Sequence, residues 1–219
     1  MKKQLLPIMM GALILTGCAT ESSRVIESQK VETYQSDYRG VKAPISVGKF
    51  NNQSSAYNGI FSDGVDRLGN QAQGILVTHL HQTGRFNVLN RTDLSVLQQE
   101  ASIKNQKLNL KGANYVVTGA VAEFGRKDVG DRQLFGILGR GKAQIAYAKV
   151  DLNVVDARTS EIVYSTHGEG EYQLKNREIA GFGGTSGYDS TLNGKVLDLA
   201  IREAVNNLTR GMDQGQFKP

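Results

Sequence analysis

The chain of 219 residues has one cysteine, three histidines, three prolines and no tryptophan. A single cysteine excludes a disulfide framework and any metal cluster built from several thiolates. Three histidines supply few ligands for a zinc enzyme, so we expect neither a metal nor an organic cofactor. The hydrophobic share of 39% and the charged share of 21% are ordinary for a folded protein. At this length we expect one domain.

Long apolar runs are absent as well, since the longest candidate covers only residues 5–15. That run is too short for a membrane-spanning helix, which needs about 20 apolar residues. Lys2 and Lys3 precede it, and this arrangement is typical of a secretory signal. The segment ends in Leu15-Thr16-Gly17-Cys18, which resembles the lipobox of bacterial lipoproteins.

The lipobox implies that residues 1–17 are removed and that Cys18 becomes the acylated first residue of the mature chain. The alternative is an ordinary signal peptide with a cysteine by chance. We prefer lipidation, because the chain's single cysteine stands where the box requires it. Three acyl chains anchor a protein stably in a lipid bilayer. Ala19, where inner-membrane lipoproteins have Asp, implies the bacterial outer membrane, with the protein facing the periplasm.

Charge of one sign is also scarce in the mature chain. Loss of Lys2 and Lys3 leaves 24 basic against 21 acidic residues, a net charge of +3. This small surplus, in a protein expected in the periplasm, does not indicate a nucleic-acid partner.

The mature chain divides by composition into three parts. Residues 18–43, rich in Ser, Glu, Gln and Lys, are predicted to be a lipidated tether. Residues 44–212 form the domain, and 213–219 are a short tail. Periodicity predicts strands at 45–50, 85–89, 113–124, 145–155 and 161–165, and helices from Asp63, from Thr92 or Asp93, and from Asn193 or Gly194. We therefore expect an α/β (α+β) fold with helices packed on a sheet.

The strand 145–155 has the clearest pattern. Val150, Leu152 and Val154 share one face, which we expect in the core, and Asp151 and Asn153 share the other. Residues 156–160 are a turn, so this strand and the next should form a hairpin.

Motifs of common enzymes are missing: the sequence has no GxxxxGK[ST], GxSxG, HExxH or CxxC. His79 and His81 lie two residues apart on a predicted helix and therefore point to different faces. His79 lies on the apolar stripe, which indicates a hydrogen-bonded core residue. The glycine-rich residues 181–187 do not connect a strand directly to a helix, as a phosphate loop would. We therefore expect no catalytic residues and no enzyme.

The segment 125–147 does not fit a compact soluble domain. Read with a period of two, Phe135, Ile137, Ile145 and Tyr147 share one face, with polar residues on the other. An apolar face, a polar face and an aromatic at each end are typical of a membrane barrel strand.

A second segment, 166–191, starts with Gly168, Gly170 and Tyr172 alternating with charged residues and then becomes glycine-rich. Membrane strands need about 9–11 residues, so both segments are short for that role. The alternative is a pair of surface hairpins, which the charged residues at 126–132 favour.

Four features together resemble the CsgG/HfaB family of outer-membrane lipoproteins, the curli production assembly/transport components. They are the lipobox, residues 85–100 (RFNVLNRTDLSVLQQE), residues 112–119 (GANYVVTG) and residues 150–162 (VDLNVVDARTSEI). Each string is weak by itself, but their order and spacing are characteristic. The resemblance covers most of residues 44–210.

The resemblance implies a periplasmic α/β domain and a homo-oligomeric ring, in which two hairpins per subunit pool into one transmembrane β-barrel. Such closure pairs every exposed strand edge with a neighbouring subunit. The family's function implies export of unfolded extracellular, curli-like adhesive subunits, with periplasmic accessory proteins as further partners.

The family's channel is narrowed by a loop after the first strand that carries a Tyr, an Asn and a Phe. Tyr57, Asn58 and Phe61 stand at the matching place here, although the spacing differs. The resemblance implies that they form the constriction. The alternative is that the two aromatic rings pack under the loop.

Two functions therefore compete at this point. The first is an outer-membrane secretion channel or ring. The second is a lipoprotein without a pore that scaffolds an envelope machine or regulates a cell-wall synthase. They differ in whether 125–147 and 166–191 are membrane hairpins.

Overall fold

The structure, a computed structural model, describes residues 29–56, 65–132, 140–177 and 191–218. Within these residues the elements are β1 (Ala43–Asn52), α1 (Arg67–Gln82), β2 (Phe86–Leu89), α2 (Leu94–Ile103), β3 (Tyr115–Arg132), β4 (Arg140–Asp156), β5 (Ile162–Arg177) and α3 (Thr191–Asp213). A single turn of 3-10 helix, Glu32–Gln35, precedes them. The predicted mixed α/β fold and the predicted order of elements are confirmed.

The five strands form one mixed sheet in the order β2-β1-β3-β4-β5. β1 is parallel to both of its neighbours, β2 and β3. β3, β4 and β5 are antiparallel to one another. The predicted hairpin between β4 and β5 is confirmed, and its second strand is much longer than residues 161–165.

The core lies between one face of the sheet and the helices α1 and α3. Leu76 and Leu80 of α1 and Ile201 and Leu208 of α3 are fully buried there. The predicted phase of β4 is also confirmed, because Val150, Leu152 and Val154 are buried whereas Asp151 and Asn153 are half-exposed.

The start of α1 differs from the expectation. Asp63, the predicted cap, lies outside the described residues, and the helix begins at Arg67 with Asp66 as its N-cap. The Asp66 carboxylate accepts a hydrogen bond from the Gly69 N–H at 2.7 Å, which satisfies one free donor of the first turn. The predicted stop is confirmed, since Gly84 follows the helix with a φ of +68°.

The predicted tether is not free over its whole length. Residues 29–42, which we call the strap, lie against α3, and Val31 is only 3% exposed. The backbone N–H of Glu32 donates to Asn206 Oδ1 at 3.1 Å. Burial of Val31 and this hydrogen bond together fasten the strap to α3.

The predicted tail is ordered as well. Phe217 is buried, and its ring stacks on that of Tyr164 with centroids 4.8 Å apart. The Tyr115 hydroxyl donates to the carbonyl of Lys218 at 3.0 Å. The chain after α3 therefore closes the end of the core beside the start of β3.

Candidate functional site

The antiparallel part of the sheet extends well past the helices. The β3–β4 ladder continues to the pair Arg132–Arg140, and the β4–β5 ladder to the pair Gly141–Arg177. We call residues 125–132, 140–147 and 171–177 the ribbon. Seven or eight residues per strand give it a length of about 25 Å.

The body of the domain ends where the ribbon begins. β1 makes its last pair with β3 at Asn52–Val121, and a bulge between Val121 and Glu123 follows directly in β3. In the first turn of α3, Asn193 Oδ1 accepts a hydrogen bond from Arg126 Nε at 2.9 Å. Beyond this contact the three strands run past the first turn of α3.

Two of the predicted membrane-hairpin residues, Ile145 and Tyr147, lie in the described part of the ribbon. Both are half-buried, and they pair with Lys127 and Gly125 of β3. The Lys127 ammonium lies 4.8 Å from the Tyr147 ring centroid, within the range of a cation–π contact. A Cβ on Gly125 would stand 2.6 Å from the Tyr147 hydroxyl, so the glycine makes room for this ring.

The remaining predicted site residues lie outside the described residues. They are Cys18, the constriction residues Tyr57, Asn58 and Phe61, and the hairpin residues Phe135 and Ile137. Their predicted roles stay predictions.

The chain that leads to the predicted constriction leaves the body at the base of the ribbon. Asp66 Oδ2 accepts a hydrogen bond from the Asn52 N–H at 2.7 Å, which joins the end of β1 to the cap of α1. The Asn52 side-chain amide donates to the carbonyl of Ala56 at 2.7 Å. Ala56, which precedes Tyr57, is therefore held at the base of the ribbon.

The glycines of the second predicted hairpin serve helix packing. A Cβ on Gly168 would collide with the backbone of Ala200 and Ala204 in α3, and one on Gly170 would lie 2.7 Å from the Val196 carbonyl oxygen. The alternation that starts at Gly168 predicts a membrane strand, and this interpretation is wrong at 168–170, because that face of β5 packs against α3. Residues 178–190 lie outside the described residues.

A buried arginine ties the strap to the end of α3, and sequence reasoning missed it. Arg85 is 7% exposed, and its Nη2 lies 2.7 Å from Asp213 Oδ2. Its Nη1 donates to Ser36 Oγ at 3.2 Å, and its guanidinium carbon lies 5.2 Å from the Tyr38 ring centroid. The sequence did carry a signal for this contact, because the otherwise polar strap contains apolar and aromatic residues at intervals.

The strap runs along α3 toward the ribbon. Glu32 lies beside Arg210 near the end of the helix, with 3.8 Å between carboxylate and guanidinium. Gln29 and Lys30, which come earlier in the chain, line a groove with Leu199, eight residues into the helix. Toward its N-terminus the chain therefore approaches the start of α3 and the base of the ribbon.

His79 is a satisfied core residue, as predicted. It is 3% exposed, and its Nε2 and Nδ1 lie 2.9 Å from Asp198 Oδ1 and 3.2 Å from Gln82 Oε1. In residues 29–56, 65–132, 140–177 and 191–218 no group of three or more His, Cys, Asp or Glu residues is arranged to hold a metal ion.

A charged pair lies on the face of the sheet that the helices do not cover. Lys149 Nζ lies 3.0 Å from Glu169 Oε1 on the neighbouring strand. The hydrogen bond and the negative charge of Glu169 raise the pKa of Lys149 above its ordinary value. Both side chains are open to solvent, which screens their attraction and limits what the pair contributes to stability.

Residues 27–217 match the family model described as the curli production assembly/transport component CsgG. The chain belongs to the CsgG family. It is 69% identical to a candidate lipoprotein of Neisseria meningitidis serogroup B over 209 residues, which cover 95% of this chain and 94% of the relative. That relative's name agrees with the lipidation expected at Cys18.

Solved structures with a similar arrangement include the PelC dodecamer of Paraburkholderia phytofirmans, with 16% identity and a TM-score of 0.36 over 75% of this CsgG-family chain and 87% of that one. Another is the lipoprotein GNA1162 of Neisseria meningitidis, with 13% identity and a TM-score of 0.36 over 79% and 99% of the two chains. Within the described residues, no helix is both long and apolar enough to cross a bilayer.

Proposed function

We propose that this CsgG-family protein is an outer-membrane lipoprotein that assembles as a ring and exports unfolded extracellular, curli-like subunits. The observation that carries the proposal is the ribbon, in which three strands continue past the body as one ladder. The same strands thus belong to a folded domain at one end and to a free sheet at the other.

The edges of the ribbon explain why a ring would form. β3 makes its last pair with β1 at Val121, whereas its ladder with β4 continues to Arg132. β5 is the edge strand of the sheet on the other side. Edge strands pair readily with another chain, and a closed barrel removes such edges. Ribbons from neighbouring copies would supply that closure.

The position of the strap supports a lipid anchor at the same end as the ribbon. Gln29 and Lys30 point the chain toward the ribbon base. The eleven residues 18–28 reach at most about 36–40 Å when extended. Cys18 and the ribbon would then lie in the same membrane, and the body would lie on its periplasmic side.

The constriction belongs to the same proposal. Asn52 and Ala56 hold the start of the loop at the ribbon base, where a lumen would open into the periplasm. Aromatic rings and an amide from Tyr57, Asn58 and Phe61 suit a passing chain without fixed sequence. They offer apolar contact and hydrogen bonds without trapping it by charge.

Planar-bilayer conductance of the detergent-extracted, lipidated protein tests the channel. Tyr57→Ala with Phe61→Ala should raise the single-channel conductance, whereas the matched truncation Tyr34→Ala in the strap should leave it unchanged. Deletion of residues 135–141 should abolish conductance without unfolding the body. Absence of conductance in the wild-type protein would contradict the channel.

The second function, a scaffold or synthase regulator without a pore, is favoured by one observation. The register pairs Ala143 with Lys175 and Gly141 with Arg177, so charges occupy positions next to the apolar residues of β4. Charges that face lipid cost about 2–4 kcal/mol at the bilayer centre. Electron microscopy separates the two functions, since the channel requires a ring with a lumen.

A further inference from the structure

The strap contacts the body along a polar stripe of α3. Asn206, Arg210 and Asp213 follow one another at intervals of four and three residues, which places them on one face of the helix. Asn206 accepts a hydrogen bond from the Glu32 N–H, and Arg210 lies beside the Glu32 carboxylate. Asp213 reaches the strap through the guanidinium of Arg85. Water can take the place of such polar partners when a segment leaves.

The apolar attachment of the strap is small. Val31 is its one buried residue, and Tyr38 is half-buried against the core. The 3-10 turn Glu32–Gln35 buries no residue. Tyr34 donates its backbone N–H to the Val31 carbonyl at 3.0 Å, and the Lys30 ammonium lies 3.7 Å from the Tyr34 ring centroid. These last two contacts stay within the strap and need no partner on α3.

The charged groups beneath the strap each have a second partner in the body. Arg85 bonds the strap but also pairs with Asp213 at 2.7 Å. Arg210 lies 3.8 Å from the carboxylate of the strap but only 3.0 Å from Glu203. Asn206, which is uncharged, is 4% exposed beneath the strap, and water would donate to it in place of the backbone N–H. Removal of the strap would therefore leave each guanidinium with a carboxylate, and an unpaired buried charge would not arise.

The helices α1 and α3 are attached to the sheet in a different way. Leu76 and Leu80 of α1 and Ile201 and Leu208 of α3 are fully buried, so neither helix can leave without opening the core. Segments with few buried apolar contacts open at a lower free energy than core elements. The strap is such a segment, and it can leave α3 while the body stays folded.

We infer that the strap is a releasable latch that gives the membrane tether two lengths. When the strap is docked, the free chain between the anchor and α3 is residues 18–28, which reach at most about 36–40 Å when extended. When the strap is released, the free chain is residues 18–42, which reach at most about 82–90 Å. The docked latch holds the body near the bilayer, and the released latch lets it move more than about 40 Å further away.

Hydrogen exchange of the lipidated, detergent-extracted protein, followed by mass spectrometry, tests the release. Val31→Ala and Val150→Ala are matched truncations, since the two valines are 3% and 0% exposed. Val31→Ala should speed the exchange of a peptide spanning residues 31–37 by about tenfold, because the docked strap loses buried apolar surface. It should leave the exchange of β4 and the urea midpoint unchanged. Val150→Ala should lower the midpoint and leave the strap peptide unchanged.

The wild-type protein gives a second measurement that does not depend on the folding of either variant. Its strap amides should exchange at least about 100-fold faster than those of β4, at a rate that low urea concentrations do not change, because release exposes little surface. Exchange of the strap at the β4 rate, with the same urea dependence, would overturn the latch. Equal losses of midpoint in Val31→Ala and Val150→Ala, or unchanged strap exchange in Val31→Ala, would contradict it as well.

The same digest keeps the latch apart from the channel and from the anchor. The latch lies within one copy of the chain and requires no pore, so a protein that does not conduct would leave the exchange results valid. The two tether lengths rest on the lipid proposed at Cys18. The N-terminal peptide should therefore carry the mass of the acyl chains, and an unmodified Cys18 would overturn the two lengths.

Discussion

Arg85 and Asp213 join the start of β2 to the end of α3 through two parallel hydrogen bonds, Nε to Oδ1 at 3.1 Å and Nη2 to Oδ2 at 2.7 Å. The guanidinium is buried, whereas the carboxylate is 43% exposed. Because Arg85 also bonds Ser36, this one pair holds the strap, the sheet and the last helix together.

Asp213→Ala should therefore lower the free energy of unfolding by about 2 kcal/mol, since hydrogen bonds to charged groups contribute about 1.5–3 kcal/mol. It leaves a buried guanidinium with fewer partners. Glu203→Ala is the control, because its 3.0 Å pair with Arg210 is exposed and should cost less than about 1 kcal/mol. Urea unfolding measures both, and equal losses would contradict the role of the buried pair.

Gly168→Ala should destabilise the protein by about 2 kcal/mol, because a methyl group there meets the backbone of α3. Gly74→Ala is the opposite case. A Cβ at this position of α1 has nothing within 4 Å, so the substitution should stabilise the helix by up to about 1 kcal/mol. Thermal unfolding should shift in opposite directions for the two variants.

Leu152→Asp should unfold the domain, since it places a charge without a partner where the wild-type residue is 1% exposed. Asn153→Asp should change the free energy of unfolding by less than about 1 kcal/mol. Its carboxylate can still accept the 2.6 Å hydrogen bond that the Ser165 hydroxyl donates. Circular dichroism of the two proteins checks the pair, and similar loss in both would mean that this strand face is misassigned.

The turn between β4 and β5 predicts a pH dependence. The backbone N–H groups of Arg158 and Thr159 donate to Asp156 Oδ1 at 2.8 and 3.0 Å, and they lower the pKa of Asp156 below 3.8. A depressed folded-state pKa stabilises the protein above the unfolded pKa, and this contribution disappears as the pH falls through the folded value. Asp156→Asn should thus be less stable than wild type at pH 7, and the difference should shrink as the pH falls through the folded-state pKa of Asp156. A constant difference across the titration of the melting temperature would exclude this linkage.

Cys18→Ala should give an unprocessed or soluble periplasmic protein, because the lipobox cysteine would carry the anchor. Membrane fractionation with mass spectrometry of the mature N-terminus checks this. Recovery of the variant as mature protein in the outer-membrane fraction would show that another feature anchors the chain.

Much of the fold could be predicted from the sequence where one face of an element is buried. The alternation of residue types around Leu152 and the apolar stripe through His79 indicate which face of the strand and of the helix lies in the core. Burial of one face makes apolar residues recur with the period of the element. The order of the elements followed from these periods. The family could be identified from short sequence strings, because their order and spacing along the chain are more characteristic than any single string.

The sequence failed where a residue's role depends on a distant partner. Gly168 has the same local context in a membrane strand as in a strand that a helix approaches closely, and only α3 distinguishes them. Val31 lies in a polar segment without periodicity, and its burial depends on α3, over 160 residues later in the chain. The wrong interpretation of 168–170 and the missed strap have this one cause.

The β3–β4–β5 ladder, which continues from the body into the ribbon, has a consequence for the register of the ribbon. Glycine-rich strands specify register weakly, because a slip by one residue costs them little. Here Val150 and Leu152 are seated in the core on the same strand, and a slip would carry both of them to the opposite face. The folded body therefore fixes the register of the ribbon. Ribbon residues need not specify the register themselves, because the buried residues Val150 and Leu152 already do so.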